Sequence, residues 1–374
     1  MIVAGEASGD IYGADLAREA CTRAPDLHFF GIGGVRMREA GVETLVDSSV
    51  MAVVGLVEVI KHFDVISSAF RKLKQILLDT PPDLLILIDY PGFNLRLAKV
   101  AKKAGIKVLY YISPQIWAWR QGRVKKIARL VDHMAVILPF EAPFYEKAGV
   151  PVTFVGHPML DLVTVTSDRS TAAASFGLDP KRKIVGLFPG SRYNEIERLL
   201  PVIIAAAGKL KQQFPDIQFI LPLASTLKSD DIVPQLKDAG LDVTTTRDRI
   251  HDMIRACDAV ISVSGTVTLE IALVETPMVI IYKLSPLTYQ IAKRLVKVPN
   301  IGLCNIVAGE TMVRELIQDE ANPEMIAAEI ARILTDQAYN DAIRHRLAEV
   351  RSKLGFGGAS RNVAQLLLSL MEQP

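Results

Sequence analysis

Long apolar runs are absent from this sequence: no stretch reaches eighteen consecutive apolar residues, the length at which a membrane-crossing helix becomes a candidate. The nearest approach, Val50 to Val57 (VMAVVGLV), soon meets Glu58, Lys61 and His62 and is not expected to span a bilayer. Cysteine is scarce. Cys21, Cys257 and Cys304 are far apart and form no C-x-x-C pair, so they read as reduced structural residues, which argues against a disulfide framework and fits a cytosolic location. Six histidines show no H-x-x-x-H spacing, and Asp230-Asp231 lies in a polar helical stretch, so a metal site has no support and none is expected. Neither sign of charge dominates: 43 Lys and Arg stand against 41 Asp and Glu. That balance lacks the clustered positive field of a nucleic-acid binder, and no nucleic-acid partner is expected. The P-loop pattern G-x-x-x-x-G-K-[ST] is missing, which removes kinases and ATPases of that type. The glycine turns Gly5-Glu6-Ala7-Ser8-Gly9 and Gly31-Ile32-Gly33-Gly34 do not complete a dinucleotide fingerprint, so a nicotinamide cofactor is disfavoured and no cofactor is expected. The opening MIVAGEASGD has no basic segment followed by an apolar one. No secretory leader is expected, and the first strand is confined to Ile2–Ala4.

Half of the 374 residues are apolar, enough for two buried cores. Short apolar runs alternate with helical periodicity from the start. Strands are expected at Leu27–Phe30, Leu84–Ile88, Lys107–Ile112, His133–Leu138 and Val152–Val155, with helices at Ile11–Cys21, Ile66–Leu78, Leu95–Ala104 and Val124–Val131. That alternation predicts an α/β domain with a parallel, doubly wound sheet. The polar stretch Pro158–Ala174 reads as a connection. The alternation resumes at Ile184, with strands at Gln218–Leu221, Asp242–Thr244, Ala259–Val263 and Met278–Tyr282. The expected organisation is a first Rossmann-like domain over 1–160 and a second over 161–354, facing each other across a cleft. A final segment, 355–374, is expected to cross back to the first domain, because Val363, Leu366, Leu367 and Leu370 recur at helical spacing and need a partner.

The candidate chemistry gathers at strand-to-helix turns. In KIVGLFPGSRYNEIERLLP, an apolar run ends at Pro189-Gly190-Ser191-Arg192 and a helical pattern follows. Such a turn leaves the first helical N–H groups unpaired and favours anions, and Arg192 adds a cation. A second turn, Ser264-Gly265-Thr266, follows the Val260–Val263 run, and Glu270 lies one helical turn further on, suited to ribose hydroxyls. Either turn alone is compatible with an ordinary α/β connection. Two in one domain suggest a nucleotide diphosphate site. In the first domain, LLILIDYPGFN puts Asp89 at the end of an uninterrupted apolar strand, where desolvation raises a carboxyl pKa toward that of a useful base. Asn94 is expected to cap the next helix. Glu6 and Ser8, in the turn after the first strand, are candidate substrate contacts. The segment SPQIWAWRQGRVKKIARLV holds Trp117 and Trp119 among Arg120, Arg123, Lys125, Lys126 and Arg129. Indoles beside cations suit a membrane interface or a phosphorylated lipid; a solvated basic helix edge accounts for the charges equally. Trp117 and Arg120 are the candidate contacts there.

Several of these stretches, AGEASGD, GIGG, DYPGFN, SPQIWAWR, GHPMLD, FPGSR, SGT with LE, and PNIGLCNIVAGE, together make the chain resemble the lipid-A-disaccharide synthases, which have the GT-B glycosyltransferase architecture. The likeness covers nearly the whole chain. It implies inverting transfer of a diacylated glucosamine from UDP-2,3-diacylglucosamine to the 6-hydroxyl of 2,3-diacylglucosamine 1-phosphate (lipid X), giving a β-1,6-linked disaccharide 1-phosphate and UDP. By the same resemblance the second domain holds UDP, the first receives the acyl sugar at the cytoplasmic face of the inner membrane, and a homodimer with exchanged C-terminal segments is possible. It marks Asp89, Arg192 and Asn305 as functionally important; Asn305 enters from the resemblance alone. A sugar-nucleotide 2-epimerase of the same architecture is the alternative, but it would leave the aromatic-basic segment and Val50–Ile60 without a role. A dehydrogenase and a catalytically silent membrane scaffold are the remaining rivals.

Overall fold

The computed structural model describes residues 1–51, 63–119, 121–224, 227, 229–296 and 298–372, apart from the side chains of 63, 287, 291 and 292. Arg120 and nearly all of the Val50–Ile60 stretch lie outside the described residues. The chain divides into two compact units: Met1–Asp161 with Leu354–Pro374, and Leu162–Lys353.

The first unit is built on seven parallel strands: β1 (Ile2–Ala4), β2 (Phe30–Gly33), β3 (Glu43–Asp47), β4 (Leu84–Ile88), β5 (Lys107–Tyr111), β6 (His133–Val136) and β7 (Val152–Phe154), in the order β3-β2-β1-β4-β5-β6-β7. Every residue of β4 is buried, as an unbroken LLILI run requires when helices cover both faces of a parallel sheet. Two local expectations are corrected. The second strand begins only at Phe30 and pairs its glycine-rich half with β1, Gly31 opposite Ile2 and Ile32 opposite Val3. The apolar run at Leu27–Phe30 marked burial near the strand, not the strand itself. The expected Val124–Val131 helix is reduced to short turns at Gln121–Arg123 and Val124–Ile127.

The Ala359–Glu372 helix packs on the Ala7–Arg23 helix and buries Ala359, Val363, Ala364, Leu367 and Leu370. It therefore belongs to the first unit, where its apolar stripe is buried. Its start is held by the Asp161 carboxylate, which accepts from Gly358 N at 2.8 and 2.9 Å and from Ala359 N at 3.3 Å.

The second unit has six parallel strands: β8 (Ile184–Phe188), β9 (Gln218–Pro222), β10 (Val243–Thr246), β11 (Ala259–Val263), β12 (Met278–Tyr282) and β13 (Glu315–Ile317), in the order β10-β9-β8-β11-β12-β13. The edge strands β3 and β13, ETLVD and ELI, lack the apolar run that burial on both faces imposes and by which the sequence marks a central strand. In both sheets the strand order reverses direction beside the first strand, between β1 and β4 and between β8 and β11. Ligands of doubly wound sheets bind beyond the carboxyl ends at that reversal. The turns after β1, β4, β8 and β11 are thereby singled out by topology. No helix among the described residues is long and apolar enough to cross a membrane.

Candidate active site

In the first unit, the reversal brings together the turn after β1, carrying Glu6 and Ser8, and the turn after β4, carrying Asp89. Glu6 and Ser8 are exposed. Asp89 and Tyr90 both adopt left-handed backbone conformations, each with φ of 45°. Such conformations cost roughly 1 to 3 kcal/mol for each residue with a side chain and persist where the surroundings impose them. Here they are imposed from several sides. Asp89 N donates to Tyr111 O at 3.1 Å. The Tyr110 hydroxyl donates to Asp89 O at 2.5 Å, and Asn94 Nδ2 donates to Asp89 O at 2.7 Å and to Ile88 O at 3.1 Å. Asn94 therefore does not cap the Pro91–Lys103 helix as expected. It sits within that helix, whose N-cap is Tyr90, and ties the carbonyls of the strained turn. A Cβ on Gly5 would lie 2.6 Å from the Tyr90 ring, so only glycine lets the two turns approach this closely.

Burial raises the Asp89 carboxyl to about 6, with the charge of Glu6 adding in the same direction and the Tyr90 N–H opposing. The Glu6 charge thus bears on Asp89, second to burial. The turn after β2 is different: Asp10 already occupies it, accepting from Gly34 N at 2.6 Å, Arg36 N at 3.0 Å and Met37 N at 3.1 Å. The GIGG stretch is capped by the protein's own carboxylate and offers no vacancy for an outside anion.

The two indoles separate. Trp117 is buried, donates Nε1 to Glu141 Oε1 at 3.0 Å, and meets the Phe140 ring edge-on at 4.8 Å. This corrects the expectation that it offers its ring to a substrate or membrane. Glu141 is itself enclosed, and burial lifts its carboxyl to about 7 despite the donors around it. Trp119, by contrast, is 41% exposed, and Lys125, Lys126 and Arg129 nearby are exposed too. Arg120 lies outside the described residues.

In the second unit, the turns after β8 and β11 line one cavity of about 500 Å³ together with Glu195, Arg247, Asp248 and Glu270. Gly190, Ser191, Arg192, Ser264, Gly265, Thr266 and Glu270 all contribute to its wall. Gly190 has φ of 101°, open to glycine at little cost. Arg192 is the N-cap residue of the Tyr193–Gln213 helix and donates Nη1 to Glu195 Oε1 at 3.2 Å. Glu195 has no motif to mark it; the only signal is its place three residues after Arg192, which puts the two on one helical face. The Ser264 hydroxyl donates to Ile301 O at 2.9 Å, and the buried Thr268 hydroxyl to Gly265 O at 2.8 Å. Glu270 Oε2 lies 3.3 Å from His251 Nε2, a partner that no local motif announced.

Asn305 is not in the cavity wall. It is completely buried, its Nδ2 donating to Val313 O and Glu315 Oε1 at 2.8 Å each, its Oδ1 accepting from Met312 N at 2.9 Å and Val313 N at 3.1 Å. That corrects the expectation of a direct substrate contact: no hydrogen-bonding capacity is left over. Its route to the cavity is indirect. Glu315 also accepts from Ile301 N at 2.8 Å and Gly302 N at 2.9 Å, and Ile301 O receives the Ser264 hydroxyl. Among the described residues, no three His, Cys, Asp or Glu side chains gather as a metal-ligating cluster.

Comparison with known proteins agrees with this geometry. The fold is shared with UDP-N-acetylglucosamine 2-epimerase from Neisseria meningitidis, solved bound to UDP-GlcNAc (TM-score 0.67, 13% identity, 98% of this chain and 99% of that one). It is shared also with the calicheamicin glycosyltransferase (TM-score 0.61, 15% identity, 99% and 96%). At such identities the likeness speaks for the fold alone, so the epimerase alternative gains nothing beyond architecture. Sequence reaches further. The family described as lipid-A-disaccharide synthetase matches residues 1–365. The lipid-A-disaccharide synthase of Trichlorobacter lovleyi is 73% identical over 100% of this chain and 97% of its own length, and that of Geobacter sulfurreducens 64% over 99% and 97%. The chain belongs to the lipid-A-disaccharide synthase family of glycosyltransferases.

Proposed function

We propose that the chain transfers a diacylated glucosamine from its UDP donor to the 6-hydroxyl of a diacylglucosamine 1-phosphate, forming a β-linked disaccharide and releasing UDP. The observation that carries this reading is the meeting of two strand-to-helix turns in one cavity with Arg192 and Glu270. Backbone N–H groups and a guanidinium suit a diphosphate, and a carboxylate suits ribose hydroxyls. The turns with Gly190, Ser191, Ser264, Gly265 and Thr266 hold the nucleotide of the donor.

Asp89, in the first unit, acts as the base. As the acceptor oxygen attacks the anomeric carbon, Asp89 takes its proton; the bond from that carbon to the UDP oxygen breaks, and the electron pair leaves with UDP. Attack opposite to departure inverts the anomeric centre. Arg192 and the turn N–H groups stabilise the charge growing on the diphosphate, a role that preorganised donors fill without reorganisation. Glu6 keeps Asp89 basic, and Ser8 contacts the acceptor. The exposed Trp119 and its neighbouring cations support a peripheral seat on the anionic cytoplasmic face of a membrane, within reach of acylated substrates. Two copies pair by exchanging their C-terminal segments.

The test is release of UDP from UDP-diacylglucosamine with and without the diacylglucosamine 1-phosphate acceptor. Acceptor-dependent release is the expected result. Release that ignores the acceptor would overturn the transfer reaction.

A further inference from the structure

Arg192 faces a competitor inside its own turn. Glu195 lies in the first turn of the Tyr193–Gln213 helix, and its Oε1 accepts from Arg192 Nη1 at 3.2 Å. Its other oxygen, Oε2, lies over Gly190, 2.5 Å from where a Cβ on that residue would stand. The Glu195 side chain is 17% exposed and that of Arg192 61%, so the carboxylate is the inner member of the pair. It occupies the positive end of a long helix beside the glycine turn, which is the place an anion prefers.

The charges around it sharpen the point. Among the described residues of the cavity wall, Arg192 and Arg247 face three carboxylates, Glu195, Asp248 and Glu270. Arg247 is held by carbonyls, donating to Ala224 O at 2.9 Å and Leu227 O at 2.7 Å. Arg192 is therefore the wall cation most available to a diphosphate, and Glu195 is bonded to it. A carboxylate so close to a bound diphosphate repels it as well as competing for the same cation.

We propose that Glu195 is a built-in counter-ion of the diphosphate turn, which competes with the nucleotide for Arg192 and thereby keeps the product UDP loosely held. This rests on the reading of the cavity as the UDP site. A carboxylate in a first helical turn also stabilises the helix itself, but that role alone gives no reason for a nucleotide to bind more tightly when the charge is removed. The two roles are separable by sign.

The experiment is calorimetric titration of the intact protein with UDP and with uridine. Glu195→Gln keeps the side-chain shape and removes the charge. It is expected to bind UDP about two- to fivefold more tightly, a range set by the modest worth of partly exposed ion pairs, while uridine affinity stays unchanged. On an Arg192→Ala background the gain should vanish. Glu195→Asp keeps the charge but shortens its reach, and should fall between the wild type and Glu195→Gln, which secures the test if the glutamine variant folds poorly. UDP binding that is unchanged or weaker in Glu195→Gln overturns the counter-ion role. Failure of the wild-type protein to bind UDP at all overturns the cavity assignment first, and the counter-ion role with it.

Discussion

At the residue scale the proposed chemistry concentrates on Asp89. Its position at the end of a fully apolar strand was legible from LLILID, because a carboxylate there has little water around it. Its strained backbone and the nearby Glu6 were not legible, since both depend on the turn after β1 meeting the turn after β4. With the carboxyl near 6, the deprotonated, basic form is half populated at about that pH. The acid limb of kcat/KM is expected to bend near pH 6, and Asp89→Asn is expected to lower turnover by roughly 10²- to 10⁴-fold with UDP affinity unchanged. Stability moves the other way. A carboxyl raised in the folded state contributes stability that is present below its unfolded pKa and lost as pH rises through about 6. Thermal melts at pH 5 and pH 8 should therefore show that Asp89→Asn gains stability relative to wild type at the higher pH. Asn305 teaches the opposite lesson. A motif marked it, but its role follows from four internal hydrogen bonds. Asn305→Ala is expected to destabilise the second unit by about 2 kcal/mol or more in urea unfolding, because buried groups lose their partners.

At the scale of elements, the segment Ser113–Arg129 shows how one pattern conceals two environments. Two tryptophans two residues apart looked alike in sequence. One is turned inward onto Glu141; the other is 41% exposed, with the Arg123 guanidinium 6.0 Å from its ring centroid. Trp117→Phe is expected to lower the melting temperature, since Glu141 loses a donor worth about 1 kcal/mol or more, without changing sedimentation with anionic vesicles. Trp119→Ala should weaken vesicle binding and leave the melting temperature nearly unmoved. Equal behaviour of the two variants would refute the division. The glycine turns also differ in what fills them: the one after β2 holds Asp10, whereas the turns after β8 and β11 line a cavity.

At the scale of the whole molecule, each unit is a doubly wound sheet whose reversal point selects the turns that matter. The last helix completes the first unit although its residues lie far along the chain. Leu367 is buried in that helix, which packs on the Ala7–Arg23 helix. Leu367→Ala is expected to destabilise by about 2 to 5 kcal/mol, with faster amide exchange in Ala7–Arg23 and none of that change in the second unit. An effect spread evenly over both units would contradict this. By itself the sequence determined the α/β class, most central strands, the apolar stripe of the last helix and the position of the glycine turns after β8 and β11. Those are consequences of local periodicity and of what glycine, proline and buried carboxylates do wherever they occur. Only the tertiary structure decided which turns share a cavity, which carboxylate already fills one, which indole faces water and what Asn305 holds. Each of these depends on groups brought together from distant parts of the chain, as with Gly34 onto Asp10 or Ile301 onto Ser264, and no local pattern encodes that meeting.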